Sequence, residues 1–112
     1  MTQGADFNRD EELMARKDGA KLVKNSGRGQ NKGDAVRGNL CIDYKFTDSK
    51  SYSISEKNWR KHENDSFRAG KEPVIVSVFR MLGGLRLAIV RWDYLMGLED
   101  ELEELRAKCQ AS

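Results

Sequence analysis

Three residues in the middle of the chain have the types and spacing of a hydrolytic site: Asp34, Asp43 and Lys45. Residues i and i+2 of a β-strand emerge on one face, so Asp43 and Lys45 stand side by side if 40–46 is extended. Gly38-Asn39 suits a two-residue hairpin turn, because both residue types tolerate positive φ. Such a hairpin folds 34–37 back on 40–46 and sets Asp34 near Asp43. Two close carboxylates repel each other unless a cation lies between them. Mg²⁺ prefers oxygen donors of this kind, and it can polarise a phosphate and acidify water. A neighbouring lysine can orient or help deprotonate that water and offset charge on a pentacovalent transition state. This is the chemistry of phosphodiester hydrolysis. On its own, D-x-K on a strand is more often a solvated ion pair worth under ~1 kcal/mol. Three neighbouring features favour the catalytic reading: Gly33-Asp34, the glycine-rich basic loop before it, and the acidic pair Glu11 and Glu12 near the N-terminus.

The elements that must position these residues follow from periodicity and turn chemistry. Residues 8–18 predict a helix with Phe7, Leu13 and Met14 on or near one face and Gly19 as its stop. Residues 21–24 predict a short strand, and 25–33, with three glycines and nothing apolar, predict a loop. In 40–46, Ile42, Tyr44 and Phe46 alternate with Cys41, Asp43 and Lys45, so the apolar and the reactive residues occupy opposite faces. Ser53 and Glu56 form a capping-box pattern ahead of a helix to about Gly70, with Ile54, Trp59, Phe67 and Ala69 as packing residues. Pro73 precedes a strand at 74–79, Gly83-Gly84 turns the chain into a strand at 85–91, and Asp93 caps a last helix at 94–108. The order is helix, three strands, helix, two strands, helix.

The chain has 112 residues, which suits a single domain spanning 1–112, with 1–7 a flexible N-terminus and 93–108 the C-terminal helix. No stretch reaches the ~18–20 apolar residues of a membrane span. The start is polar and acidic, without the features of a secretory signal; it reads as cytoplasmic. With one histidine, no CxxC and two separated cysteines, Cys41 and Cys109, neither a zinc framework nor a disulfide is expected. The net charge of +2 is unevenly spread. Residues 16–45 hold eight Lys/Arg against three aspartates, and 57–71 hold five against two acids, whereas 93–108 hold six acids against two bases. A basic middle between acidic ends suits a face that meets phosphate.

Taken in order, these residues resemble the PD-(D/E)xK nuclease superfamily, and within it the small Holliday junction resolvases of archaeal and phage type. The resemblance covers residues 8–92. It implies a restriction-endonuclease-like αβββαβ core, an α/β fold with a mixed central sheet flanked by helices, here with an added C-terminal helix. The family's metal-binding aspartate falls on Asp34, with Gly33 in place of the usual proline, and its acidic-x-Lys pair falls on Asp43 and Lys45. Its first-helix acid falls on Glu11, with Glu12 as the alternative. The resemblance thus implies Mg²⁺, with Mn²⁺ as a substitute, held by Glu11, Asp34, Asp43 and the Tyr44 carbonyl. It also implies catalysis by Glu11, Asp34, Asp43 and Lys45, giving 5′-phosphate and 3′-hydroxyl ends. The resolvases carry a serine in the loop before the aspartate, and Ser26 is similar to it.

DNA contact is expected from Lys24, Ser26, Arg28, Gln30 and Lys32 in the loop, and from Lys57, Arg60 and Lys61 on the second helix. Each phosphate contact adds salt dependence but little sequence preference. The resemblance implies that a side chain of that helix points into the site, with Lys57 as the best candidate and a solvated helix face as the equal alternative; His62, in a charged run, is expected at the surface. Leu95, Leu98, Leu102 and Leu105 recur at 3-4-3 spacing. Two heptads are short for a free coiled coil, so packing on the chain's own sheet is the default, with homodimerisation as the alternative because a symmetric junction calls for two sites. The expected activity is that of a homodimeric, structure-selective endodeoxyribonuclease, most specifically a resolvase acting on branched DNA. A nicking, flap or restriction-type nuclease and a non-catalytic DNA-binding protein are the alternatives.

Overall fold

The computed structural model describes residues 3–23 and 34–111, with side chains from Asp10 onward. Helix α1 (Gln3–Lys17) is followed by strands β1 (Lys21–Leu22), β2 (Asp34–Arg37) and β3 (Leu40–Thr47). Helix α2 (Glu56–Arg68), strands β4 (Glu72–Phe79) and β5 (Leu85–Ile89), and helix α3 (Trp92–Ala111) complete the chain. The predicted order of elements is the observed one. Helix α1 starts earlier than the expected 8–18, and a 3-10 turn (Arg80–Leu82) precedes the β4–β5 connection. That connection needs Gly83 and Gly84, with φ of 69° and 77°, a region that β-carbons disfavour.

The five strands form one mixed sheet in the order β1-β2-β3-β4-β5. Only β3 and β4 run parallel, and α2 supplies the crossover that a parallel pair requires. Alternation along β3 separates the two faces. Ile42 and Tyr44 pack with Ala15 of α1, Ala35 and Val74 in the core, and Phe46 and Met14 flank them. The other face of β3, carrying Cys41, Asp43 and Lys45, lies toward α2. β4, paired on one side with β3 and on the other with β5, is buried along nearly its whole length.

Ser55, not Ser53, caps α2: its hydroxyl accepts the Asn58 N–H at 3.1 Å. Helix α2 starts at Glu56, which puts Ser55 rather than Ser53 at the capping position and leaves Glu56 to pair with Arg60 at 3.7 Å. The buried residues of α2 are His62 and Ser66, while Ile54 before it and Phe67 within it are exposed, contrary to the packing roles expected of them. Arg91 stacks over Phe67, 5.4 Å from its centroid, which covers that ring from outside. Arg91 also clamps Glu72 through Nε and Nη2 at 2.7 and 2.9 Å, tying the end of β5 to the start of β4.

A second polar clamp locks α1 to the sheet. The Tyr44 hydroxyl donates to Asp18 at 2.7 Å, and Arg86 donates to both Asp18 oxygens at 2.8 Å. Burial pushes the Asp18 carboxyl up, but the bonds from Arg86 and Tyr44 outweigh it and hold the group below the usual carboxylate range. Asp18→Ala leaves a half-buried guanidinium without its carboxylate and the buried Tyr44 hydroxyl with only the Met14 carbonyl at 3.4 Å. It is expected to lower stability by about 1–3 kcal/mol, read from urea unfolding, with Tyr44→Phe losing less. Equal stability of Asp18→Ala and wild type would rule out this clamp as an anchor.

Helix α3 departs from expectation. None of its side chains is buried. Leu95, Leu98, Leu102 and Leu105 are between 38% and 56% exposed, so the stripe does not pack on the chain's own sheet. The Cα radius of gyration is 16.1 Å, whereas a compact chain of this length has about 13 Å. The sheet's apolar face is already covered by α1, and α3 is left as an outlying element. No helix among the described residues is long and apolar enough to cross a membrane.

Candidate metal-binding and active site

The β2–β3 register pairs Asp34 directly with Asp43. Opposed residues of an antiparallel pair have Cβ atoms about 4.5–5.5 Å apart, so the two carboxylates share one patch of the sheet. Lys45, two residues on, places Nζ 3.2 Å from Asp43 Oδ2. Asp34, Asp43 and Lys45 line one cleft of about 230 Å³ between the sheet and α2. Asn58, Lys61, His62 and Asp65 from α2 and Ile75 from β4 complete its wall.

Glu11 turns inward and is 4% exposed, whereas Glu12 is exposed, which separates the two candidates. Glu11 is not part of the cleft wall. It sits close enough for the charges of the cleft to act on it. Its carboxyl is pushed up from 4.5 to about 7, by burial first and then by Asp43, with Asp34 adding and Lys45 opposing. Asp34 is pushed up from 3.8 to about 6, again by burial first and then by Asp43, while His62 and Lys45 oppose. Burial and the charge of Asp43 thus hold Glu11 and Asp34 toward the neutral form, the condition that a cation relieves. Tyr44 turns its ring to the opposite face, and only its main chain lies between Asp43 and Lys45.

On α2 the inward residue is Lys61 rather than Lys57. Arg60 is engaged by Glu56 and Glu63, at 3.7 and 3.1 Å. His62 is buried, 5% exposed, not at the surface as its charged neighbours suggested. Its Nε2 lies 3.1 Å from the Cys41 carbonyl and 3.0 Å from the Val74 carbonyl, bridging β3 and β4. Asn58 and Asp65 carry no role in the sequence reading, which places His62 at the surface. The signal was present, since 58, 61, 62 and 65 recur at helical spacing and share one face. Lys24, Ser26, Arg28, Gln30 and Lys32 lie outside the described residues.

No family model, curated protein or solved structure matches this chain. The class that fold and site define is therefore a coarse one: an α/β protein with a five-stranded mixed sheet and a carboxylate–lysine cleft.

Proposed function

We propose that this protein is a Mg²⁺-dependent endodeoxyribonuclease with a PD-(D/E)xK-type, restriction-endonuclease-like core, and that its substrate is branched DNA of the Holliday junction kind. The observation that carries the hydrolase reading is the cross-strand pair Asp34–Asp43 with Lys45 bonded to it. The αβββαβ order of α1 to β4 supports the fold assignment.

The donors fit a hard divalent cation. Asp34 and Asp43 offer carboxylate oxygens on one patch, and the raised protonation of Asp34 marks a site short of positive charge. Glu11 and the Tyr44 carbonyl would complete the set, with Mn²⁺ an acceptable substitute. When bound, the cation supplies Lewis acidity toward the phosphate and acidifies water in the cleft. The chain's own residues do the rest. Asp43 holds the Lys45 ammonium in place, and that ammonium orients the attacking water and offsets charge on the phosphorane-like transition state. Lys61, at the cleft wall, meets a flanking phosphate, and Lys57 and Arg60 extend the basic face of α2 along the backbone. The products would be 5′-phosphate and 3′-hydroxyl ends. The test is cleavage of junction, flap and linear duplex DNA with Mg²⁺. No cleavage of any substrate defeats the enzyme reading in favour of a non-catalytic DNA-binding protein. Linear duplex cut as readily as junction defeats the resolvase reading in favour of another nuclease type.

The partner that fits α3 is a second copy of this chain. Leu95, Leu98, Leu102 and Leu105 fall on heptad positions a and d. Glu99 and Arg106 fall at e, and Glu101 and Lys108 at g. Each flank carries one acid and one base, so paired helices place opposite charges across from each other. Two subunits would then nick opposed strands of a four-way junction. Leu98→Glu with Leu102→Glu is expected to convert a dimer to a monomer in light scattering without loss of far-UV circular dichroism, because neither side chain is buried in the protomer. A wild-type protein that is monomeric at all concentrations, alone and on DNA, overturns the dimer.

A further inference from the structure

Beside the carboxylate pair lies a second donor set with softer chemistry. Asp34, Cys41 and His62 bring a carboxylate oxygen, a thiol sulfur and an imidazole nitrogen within 4.8 Å of one another. Neither the spacing of cysteines nor the lone histidine announces this set. The β2–β3 register and the packing of α2 on β3 assemble it.

His62 is prepared as a ligand. Both partners of Nε2 are carbonyl oxygens, which only accept, so Nε2 carries the ring hydrogen and the lone pair of the neutral ring resides on Nδ1. An imidazole pinned through one nitrogen to backbone carbonyls, leaving the other nitrogen bare, is the usual arrangement of a metal-ligating histidine. Ser66, one turn further along α2, adds an independent sign. Its hydroxyl is fully buried and makes no hydrogen bond. Burial and the neighbouring carboxylates push the Cys41 thiol up, and Ser66, close to its sulfur, opposes them. A buried hydroxyl without a partner is costly, and a thiolate at Cys41 would give it an acceptor.

We propose that Asp34, Cys41 and His62 form a binding site for a thiophilic divalent cation of the Zn²⁺ class, and that its occupancy withdraws Asp34 from the Asp34–Asp43 pair and switches cleavage off. Tetrahedral Zn²⁺ bonds of about 2.0–2.3 Å put ligand atoms roughly 3.3–3.8 Å apart, so a pair at the 4.8 Å limit must close by about an ångström, through side-chain rotation. The thiolate and imidazole select Zn²⁺ over Mg²⁺. The fourth position is left to water or a substrate oxygen. The binding site stands on geometry alone, and the inhibitory step rests on the nuclease reading.

Co²⁺ is the probe for the site. Titrated into the metal-free, reduced chain, it is expected to give one equivalent of a near-ultraviolet thiolate charge-transfer band with visible d–d bands, displaced by Zn²⁺. Cys109→Ser and Asp43→Asn should keep the band. Cys41→Ser should lose it, as should His62→Gln. Loss of the band in Cys109→Ser, or no thiolate band in wild type, overturns the site even if Cys41→Ser fails to fold. For the inhibitory step, equimolar Zn²⁺ should suppress Mg²⁺-dependent cleavage of junction DNA in wild type, and the ratio with and without Zn²⁺ should return toward one in Cys41→Ser. An equal ratio in both overturns the switch. A wild type that cuts nothing in Mg²⁺ removes the nuclease reading and with it the switch, while the Co²⁺ band still decides the site.

Discussion

Replacing Asp43 with asparagine is expected to lower Mg²⁺-dependent cleavage by about a thousandfold or more, equivalent to roughly 4 kcal/mol of transition-state stabilisation, while affinity for DNA changes little. Asparagine keeps the shape of the side chain but removes the charge that opposes Asp34 and fixes Lys45 at 3.2 Å. Lys45→Ala should cost about a hundredfold, since it removes one electrostatic stabiliser and leaves the donor oxygens in place. DNA binding rests mainly on the basic residues outside the carboxylate pair, so it should survive both changes. Single-turnover cleavage and a binding isotherm on the same junction separate the two effects. Cleavage by Asp43→Asn at the wild-type rate would remove Asp43 from the mechanism.

The second large effect concerns the metal-free protein, whose stability should fall as pH rises from 5 to 8. Glu11 and Asp34 keep their protons in the folded chain up to about 7 and about 6, against ordinary values of 4.5 and 3.8. A raised carboxyl favours the folded state fully below its unfolded value, and that advantage is lost as pH climbs through the folded value. Above pH 7 both groups are ionised in a crowded, half-dry place. Asp18 is ionised in both states across this window, so its lowered pKa does not offset the trend. The fall should be on the order of 2 kcal/mol, measured as urea midpoints in chelator. Glu11→Gln should flatten it, and Mg²⁺ should restore stability at pH 8. Stability that rises with pH in chelator would show that the carboxyls do not strain one another.

Both predictions express one trade. The residues proposed to do chemistry hold like charges together, which a folded chain tolerates at a loss of stability. Asp43→Asn should therefore be less active and, without metal, more stable at pH 8.

The hairpin and its chemistry were legible because strand alternation has a period of two and Gly38-Asn39 sets the register: one slipped residue would turn Asp43 and Lys45 into the core. Glu11 was legible as a helical position, and its burial then separated it from Glu12. The inward face of α2 was not. Apolar residues conventionally mark a buried face, but α2 turns His62 and Ser66 inward and leaves Phe67 under Arg91. Its inner surface is polar because it faces the carboxylates and the β3–β4 carbonyls. Helix α3 misled in the opposite sense. Its leucines have the right spacing for burial, but α1 already covers the apolar side of the sheet. An amphipathic pattern shows that a face needs a partner and leaves the partner unnamed.

The strand order of the sheet is the order of the chain, and this divides the entropy of assembly unevenly. Closing a loop grows more unfavourable with its length. Asp34 and Asp43 meet across a two-residue turn, the shortest closure in the sheet. The β3–β4 pairing, with α2 between its strands, is the longest. The carboxylate pair is therefore set by the most local event in the chain, and the wall that encloses it, with Lys61, His62 and Asp65, depends on the least local one.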